Sequence, residues 1–180
     1  DMPSDNKNSR RVLPTIKSIV GKATQSMSVE SPYFVISEMG TQVFNALLSK
    51  PGFSLNIQTN SLASTDASYT TAAFYPKVSE WTSRGVNMWI YKGDIPDPNT
   101  YMRTPVFPKD PVWGTHSKRA VVDDHTTLIG TFNVDPRSAN LNNEMVYICH
   151  DNPGLAKNVL DDMKKRRVQS AQLGPDGLPM

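Results

Sequence analysis

The reading turns on the stretch from His116 to Cys149, HSKRAVVDDHTTLIGTFNVDPRSANLNNEMVYIC. Three short apolar runs punctuate it: Ala120-Val121-Val122, Thr127-Leu128-Ile129 and Val146-Tyr147-Ile148-Cys149. Each has strand length, and polar turn residues separate them. On a strand, residues two apart face the same way. His116 and Lys118 therefore project together, an imidazole beside an ammonium. Such a lysine repels a metal ion but suits a phosphate, whose non-bridging oxygens it neutralises. The imidazole can attack phosphorus or deliver a proton to the leaving oxygen. After the second run, Gly130 lets the backbone approach a ligand, Thr131 offers a hydroxyl and Asn133 an amide, which together make a cradle for an oxyanion.

Upstream of this stretch, helix and strand signals alternate. Residues 13–23 read as an amphipathic helix with Ile16, Ile19 and Val20 on one face. A strand is expected over 28–34, a helix over 38–48 ended by Pro51-Gly52, and a strand over 53–58. A longer helix spans 66–83 with Pro76 as its kink point and Arg84-Gly85 as its stop, before a strand over 86–91. Residues 92–114 hold Pro96, Pro98, Pro105, Pro108 and Pro111 and show no periodicity, as expected of a functional loop. A last helix covers 155–169, and the tail from 171 to 180 is expected to fray. This alternation predicts an α/β protein, a layered α/β/α domain with helices on both faces of a mixed central sheet.

Composition bounds the function. The chain has 180 residues, enough for one globular domain. At 38% hydrophobic and 20% charged it is too apolar for a disordered chain. No apolar run approaches the ~20 residues that cross a bilayer, and no signal peptide is visible behind DMPSDNKNSRR. A net charge of +2, from 19 Lys and Arg against 17 Asp and Glu, argues against a dedicated nucleic-acid binder. The lone Cys149 can form no internal disulfide and belongs to no CxxC pair, so it reads as a buried strand thiol rather than a reactive one. Asp123-Asp124-His125 and His150 read as turn residues, and Lys164 to Arg167 as a solvated helix end. Trp81 and Trp89 fit core positions. Trp113 is a candidate for lining a substrate entrance, and Asn60 and Asp66, after a strand, are candidates for lying near a substrate.

The pattern H-x-K-x4-D-x6-G-[ST]-x-N, followed by R-S and N-x-E, resembles the signature of the phospholipase D superfamily. Here it is carried by His116, Lys118, Asp123, Gly130, Thr131, Asn133, Arg137, Ser138, Asn142 and Glu144. Ser31-Pro32-Tyr33-Phe34 and the run from Thr59 to Asp66 are similar to the second half of bacterial cardiolipin synthases of the C-type branch. The resemblance covers roughly residues 26–150. It implies a phospholipase D/nuclease-like fold and an enzyme that cleaves or exchanges phosphodiesters through a phosphohistidine, without metal or cofactor. It also implies that two such motifs face each other, one histidine attacking phosphorus and the other protonating the leaving alcohol.

By the same resemblance, Lys118 and Asn133 hold the phosphate oxygens, Thr131 supports the site and Glu144 orients a histidine. Asp123 is structural, since it lies beyond the strand from the phosphate. Only one motif is present, because neither His125 nor His150 has a lysine two residues on. A second motif-bearing half must come from the same polypeptide or from a second copy. The opening residues, 1–25, look like an inter-domain segment with a leading helix, so 26–170 reads as the second half of a longer protein. Two-motif relatives draw the nucleophile from their first half, which makes His116 the general acid. The leading expectation is a phosphatidyl-transferring or phosphatidyl-hydrolysing enzyme on phospholipid, at the bacterial cytoplasm or membrane periphery. The alternatives are a single-motif homodimeric nuclease and a non-catalytic half-module.

Overall fold

The computed structural model describes residues 10–94 and 112–180. The five prolines of the expected loop and the first nine residues lie outside them. Helix α1 (Val12–Gly21) leads into β1 (Ser26–Glu30). Helix α2 (Glu38–Leu48) then carries the chain to β2 (Ser54–Asn60). Next, α3 (Ser68–Phe74), a 3-10 turn (Tyr75–Lys77) and α4 (Val78–Thr82) lead to β3 (Asn87–Tyr91). After residue 112 come β4 (Arg119–Val122), β5 (Thr126–Gly130), α5 (Pro136–Asn140), β6 (Val146–Cys149), α6 (Pro153–Arg166) and β7 (Ser170–Gln172).

These strands form one mixed sheet in the order β6-β5-β4-β1-β2-β3-β7. The β1–β2 and β2–β3 pairs are parallel, joined by helical crossovers, and every other pair is antiparallel. Register fixes which side chains share a face. Met27 opposes Val122 and Val29 opposes Ala120. Met27, Val29 and Val122 sit in a core with Val20 of α1, Phe44 and Leu47 of α2, Phe74 of α3 and Trp81 of α4. On the opposite face, Val121 packs against Ala156, Val159 and Met163 of α6. Helices cover both faces, as the alternation predicts.

Three boundaries differ from the sequence reading, each for a local reason. The first strand starts at Ser26 and stops at Glu30, because Pro32 has no N–H to extend the ladder. The long helix is broken into three pieces around Pro76, whose ring removes a helical hydrogen bond. The tail expected to fray is tied into the sheet instead. Ser170–Gln172 pairs antiparallel with β3, Leu173 is buried, and the Met180 N–H returns to the Gln172 carbonyl. A three-residue strand of Ser, Ala and Gln carries too little pattern to be read in advance. Trp81 is a core residue, whereas Trp89 is half-buried with the Arg167 guanidinium 3.6 Å from its ring centroid.

Candidate active site

His116 and Lys118 stand at the end of β4 that opens to solvent. The lysine Nζ lies 3.1 Å from both ring nitrogens of His116 and donates to the His116 carbonyl at 2.8 Å. His116 is exposed and Lys118 half-buried. Burial pulls the Lys118 ammonium below its usual pKa, while the carboxylates of Asp66, Glu144 and Asp135 push back. The cation therefore sits in a partly desolvated site with three acidic neighbours.

The residue before His116 is held by an unusual number of partners. The Thr115 N–H donates to Asn60 Oδ1 at 2.8 Å, and Asn60 Nδ2 donates back to the Thr115 carbonyl at 3.0 Å. The Thr115 hydroxyl donates to Glu30 at 2.6 Å. A side chain on Gly114 would put its Cβ 2.2 Å from the Ser64 carbonyl and 2.8 Å from Asn60 Oδ1, so the clamp requires glycine there. Asn60, a candidate for the substrate's vicinity, is thus buried and grips backbone. Asp66, the other candidate, is exposed and accepts from the Tyr33 hydroxyl at 2.8 Å. Burial, reinforced by that bond, pushes the Tyr33 hydroxyl up to about 12.

Glu30 is fully buried and unites the far face of the sheet. It accepts from Tyr91 at 2.8 Å and from Arg119 Nε at 2.6 Å, with Arg119 Nη2 at 2.5 Å. Arg119 Nη2 also stands 2.7 Å from Asp162 of α6, which Arg166 joins at 3.0 Å. No motif pointed to Glu30, Thr115 or Tyr91. The available signal was alternation: if Lys118 faces one side of the strand, Arg119 faces the other and needs a buried anion.

Beyond β5, Thr131 is exposed and its hydroxyl donates to the buried Glu144 at 2.5 Å. Asn142 Nδ2 donates to the other Glu144 oxygen at 3.2 Å. Gly130 is required because a Cβ would lie 2.1 Å from the Met145 carbonyl, just before β6. The Asn133 N–H donates to the buried Ser138 hydroxyl, and Asp135 caps α5 through the Ser138 N–H. The Arg137 side chain is exposed, and its carbonyl accepts from the Leu141 and Asn142 N–H groups, closing the loop that carries Asn142 to Glu144.

Asp123 lies at the opposite end of β4. Its carboxylate accepts from the N–H groups of Thr24, Gln25 and Ser26 and from the Thr24 hydroxyl, at 2.8–3.1 Å. Burial raises its pKa, and these donors outweigh burial and bring it below the carboxylate range. Trp113 points its Nε1–H at Gln169, 2.6 Å away. Among the described residues, no group of three or more His, Cys, Asp or Glu side chains could hold a metal ion.

The model of the family described as cardiolipin synthase, PLD-like domain, matches residues 16–167. The chain belongs to the phospholipase D superfamily. It is 35% identical over 151 residues to an uncharacterised Helicobacter pylori protein, covering 84% of this chain and 29% of that one. Against cardiolipin synthase C of Escherichia coli K12 it is 28% identical over 130 residues, covering 72% of this chain and 27% of the synthase. This superfamily member therefore spans less than a third of the curated relatives it matches. Its fold is shared by the phospholipase D family member Nuc of Salmonella typhimurium, with a TM-score of 0.63, 18% identity and 90% of each chain covered.

Proposed function

We propose that His116 and Lys118 form one half of a phosphodiester-processing centre, and that the protein transfers or hydrolyses phosphatidyl groups at the membrane periphery. The carrying observation is the imidazole and ammonium side by side at an open strand end, backed by Thr131 and the buried Glu144. The matched family description and cardiolipin synthase C support a phospholipid substrate.

In this scheme a histidine of the second half attacks phosphorus. Its P–N bond forms as the P–O bond to the leaving alcohol breaks, and His116 gives that oxygen its proton. Lys118 and Asn133 hold the non-bridging oxygens as charge builds on them. An incoming alcohol or water then yields its proton to His116 while its oxygen displaces the ring nitrogen. Glu144 orients the site through Thr131, and Asp123, Gly130, Arg137, Ser138 and Asn142 support it.

The second half binds where apolar side chains border the site. Ile129, Leu141, Met145 and Tyr147 are all exposed on or near the edge strand β6. The same strip would serve a homodimeric phosphodiesterase or nuclease, the second reading. Light scattering, with phospholipid and DNA assayed side by side, separates the two. Changing His116→Ala in the intact protein is expected to reduce phosphatidyl turnover about a thousandfold. Full turnover would refute the catalytic assignment.

A further inference from the structure

The sheet face that carries Lys118 does not close completely against its helices. A cavity of about 170 Å³ lies between α1, α2 and the β1–β4–β5 surface. Its walls include Ile16, Val20, Val43, Ala120, Leu128 and Val146. The active-site ends of β4 and β5 both contribute: Arg119 and Ala120 of β4 with Lys118 just before it, and Leu128 to Gly130 of β5. Lys118 itself forms part of the wall, with Asp135 beside it. The cavity therefore adjoins the phosphoryl site.

The chemistry of the walls narrows the occupant. Most of the wall is apolar, so a wholly polar ligand would lose its hydration and recover few hydrogen bonds away from the polar rim around Lys118 and Asp135. Apolar cavities of this order, ~150 Å³, stay dry and take up apolar guests. A helix, at about 10–12 Å across with side chains, is too wide for the space. What fits is a thin, unbranched apolar chain joined to an anion that meets Lys118. We infer that this cavity receives one acyl chain of a phosphatidyl lipid whose phosphoryl group rests on Lys118. The inference rests on the phosphatidyl reading above and assigns that substrate a second, apolar point of attachment.

The test uses the intact chain and a phosphatidylglycerol that carries a photoactivatable diazirine in one acyl chain, presented in mixed micelles. After illumination, labelled residues are mapped by mass spectrometry. Label on Ile16, Val43 or Leu128 is the expected result. Label confined to the exposed Leu141, Met145 and Tyr147, or no label on the cavity walls, overturns the inference. So does finding the cavity occupied by residues 1–9 or by a partner peptide.

A kinetic arm uses Val43→Trp, with Ile16→Trp as a second filling variant should the first fail to fold. Neither residue belongs to the proposed catalytic machinery. Filling the cavity should raise KM for the lipid about tenfold to a hundredfold, and leave kcat/KM for the tail-free bis(4-nitrophenyl) phosphate within about twofold. An equal loss on both substrates overturns the inference. If the wild-type protein cleaves neither compound, the phosphatidyl activity falls and the label map still decides the cavity. If it cleaves both and labels elsewhere, only the cavity assignment falls.

Discussion

The two ends of β4 carry the three residues of one motif under opposite conditions. At one end Asp123 is saturated: four donors from Thr24, Gln25 and Ser26 close around its carboxylate. At the other, His116 faces solvent, Lys118 is half-buried, and the two have mainly each other. The contrast separates what one contiguous pattern merges. The aspartate fixes where the strand lies, and the histidine and lysine are left free for a ligand. Between them, Arg119 ties the strand to Glu30 and α6 on the hidden face.

The most damaging way to break the contrast is to cut that tie. Glu30→Ala leaves the Arg119 guanidinium in a buried site without its main counter-ion, and should cost about 3–5 kcal/mol of stability by urea denaturation. Both ends of the strand would suffer together. Lys118→Gln sharpens the contrast instead. It should lower phosphodiester turnover about 10²- to 10³-fold, with the urea midpoint little changed. Asn60→Asp keeps the acceptor for the Thr115 N–H but loses the donor to its carbonyl. It is expected to lower kcat about tenfold to a hundredfold with KM nearly constant, the mark of a residue that positions His116.

The smallest effect belongs to the sealed end. Asp123→Asn should cost about 1–2 kcal/mol at neutral pH and leave turnover per folded molecule unchanged. Because the folded pKa of Asp123 is depressed, its contribution is complete above the unfolded value of about 3.9 and fades as pH falls towards the folded value. Wild type and variant should therefore converge in stability under acid. A gap that persists at the lowest pH would contradict this account.

Much of this arrangement was legible in the residues. The apolar runs at 120–122, 127–129 and 146–149 marked three strands, and the spacing of His116 and Lys118 marked them as neighbours, because spacing along a strand translates directly into a shared face. The turn at Asp123-Asp124 was legible as a polar turn. Its two aspartates take positive φ values of 51° and 56°, a conformation that aspartate adopts more readily than most residues. What sequence could not show were partners met through backbone. The Asn60 clamp and the Asp123 bracket are built on N–H and C=O groups that every residue possesses. Glu30 was hidden differently: nothing in Ser-Met-Ser-Val-Glu says that its carboxylate collects an arginine from far along the chain.

The outermost strand has a consequence for the order of assembly. Trp89 pairs with Gln172, and the Tyr91 strand gains its last neighbour from a segment made after α6. A ribosome therefore releases β3 with a bare edge and must synthesise roughly half the chain before that edge is covered. Such late, distant pairing slows folding and leaves a nascent edge open to stray strands. Emerging chains halted before residue 170 should need a chaperone's shelter more than those halted after it.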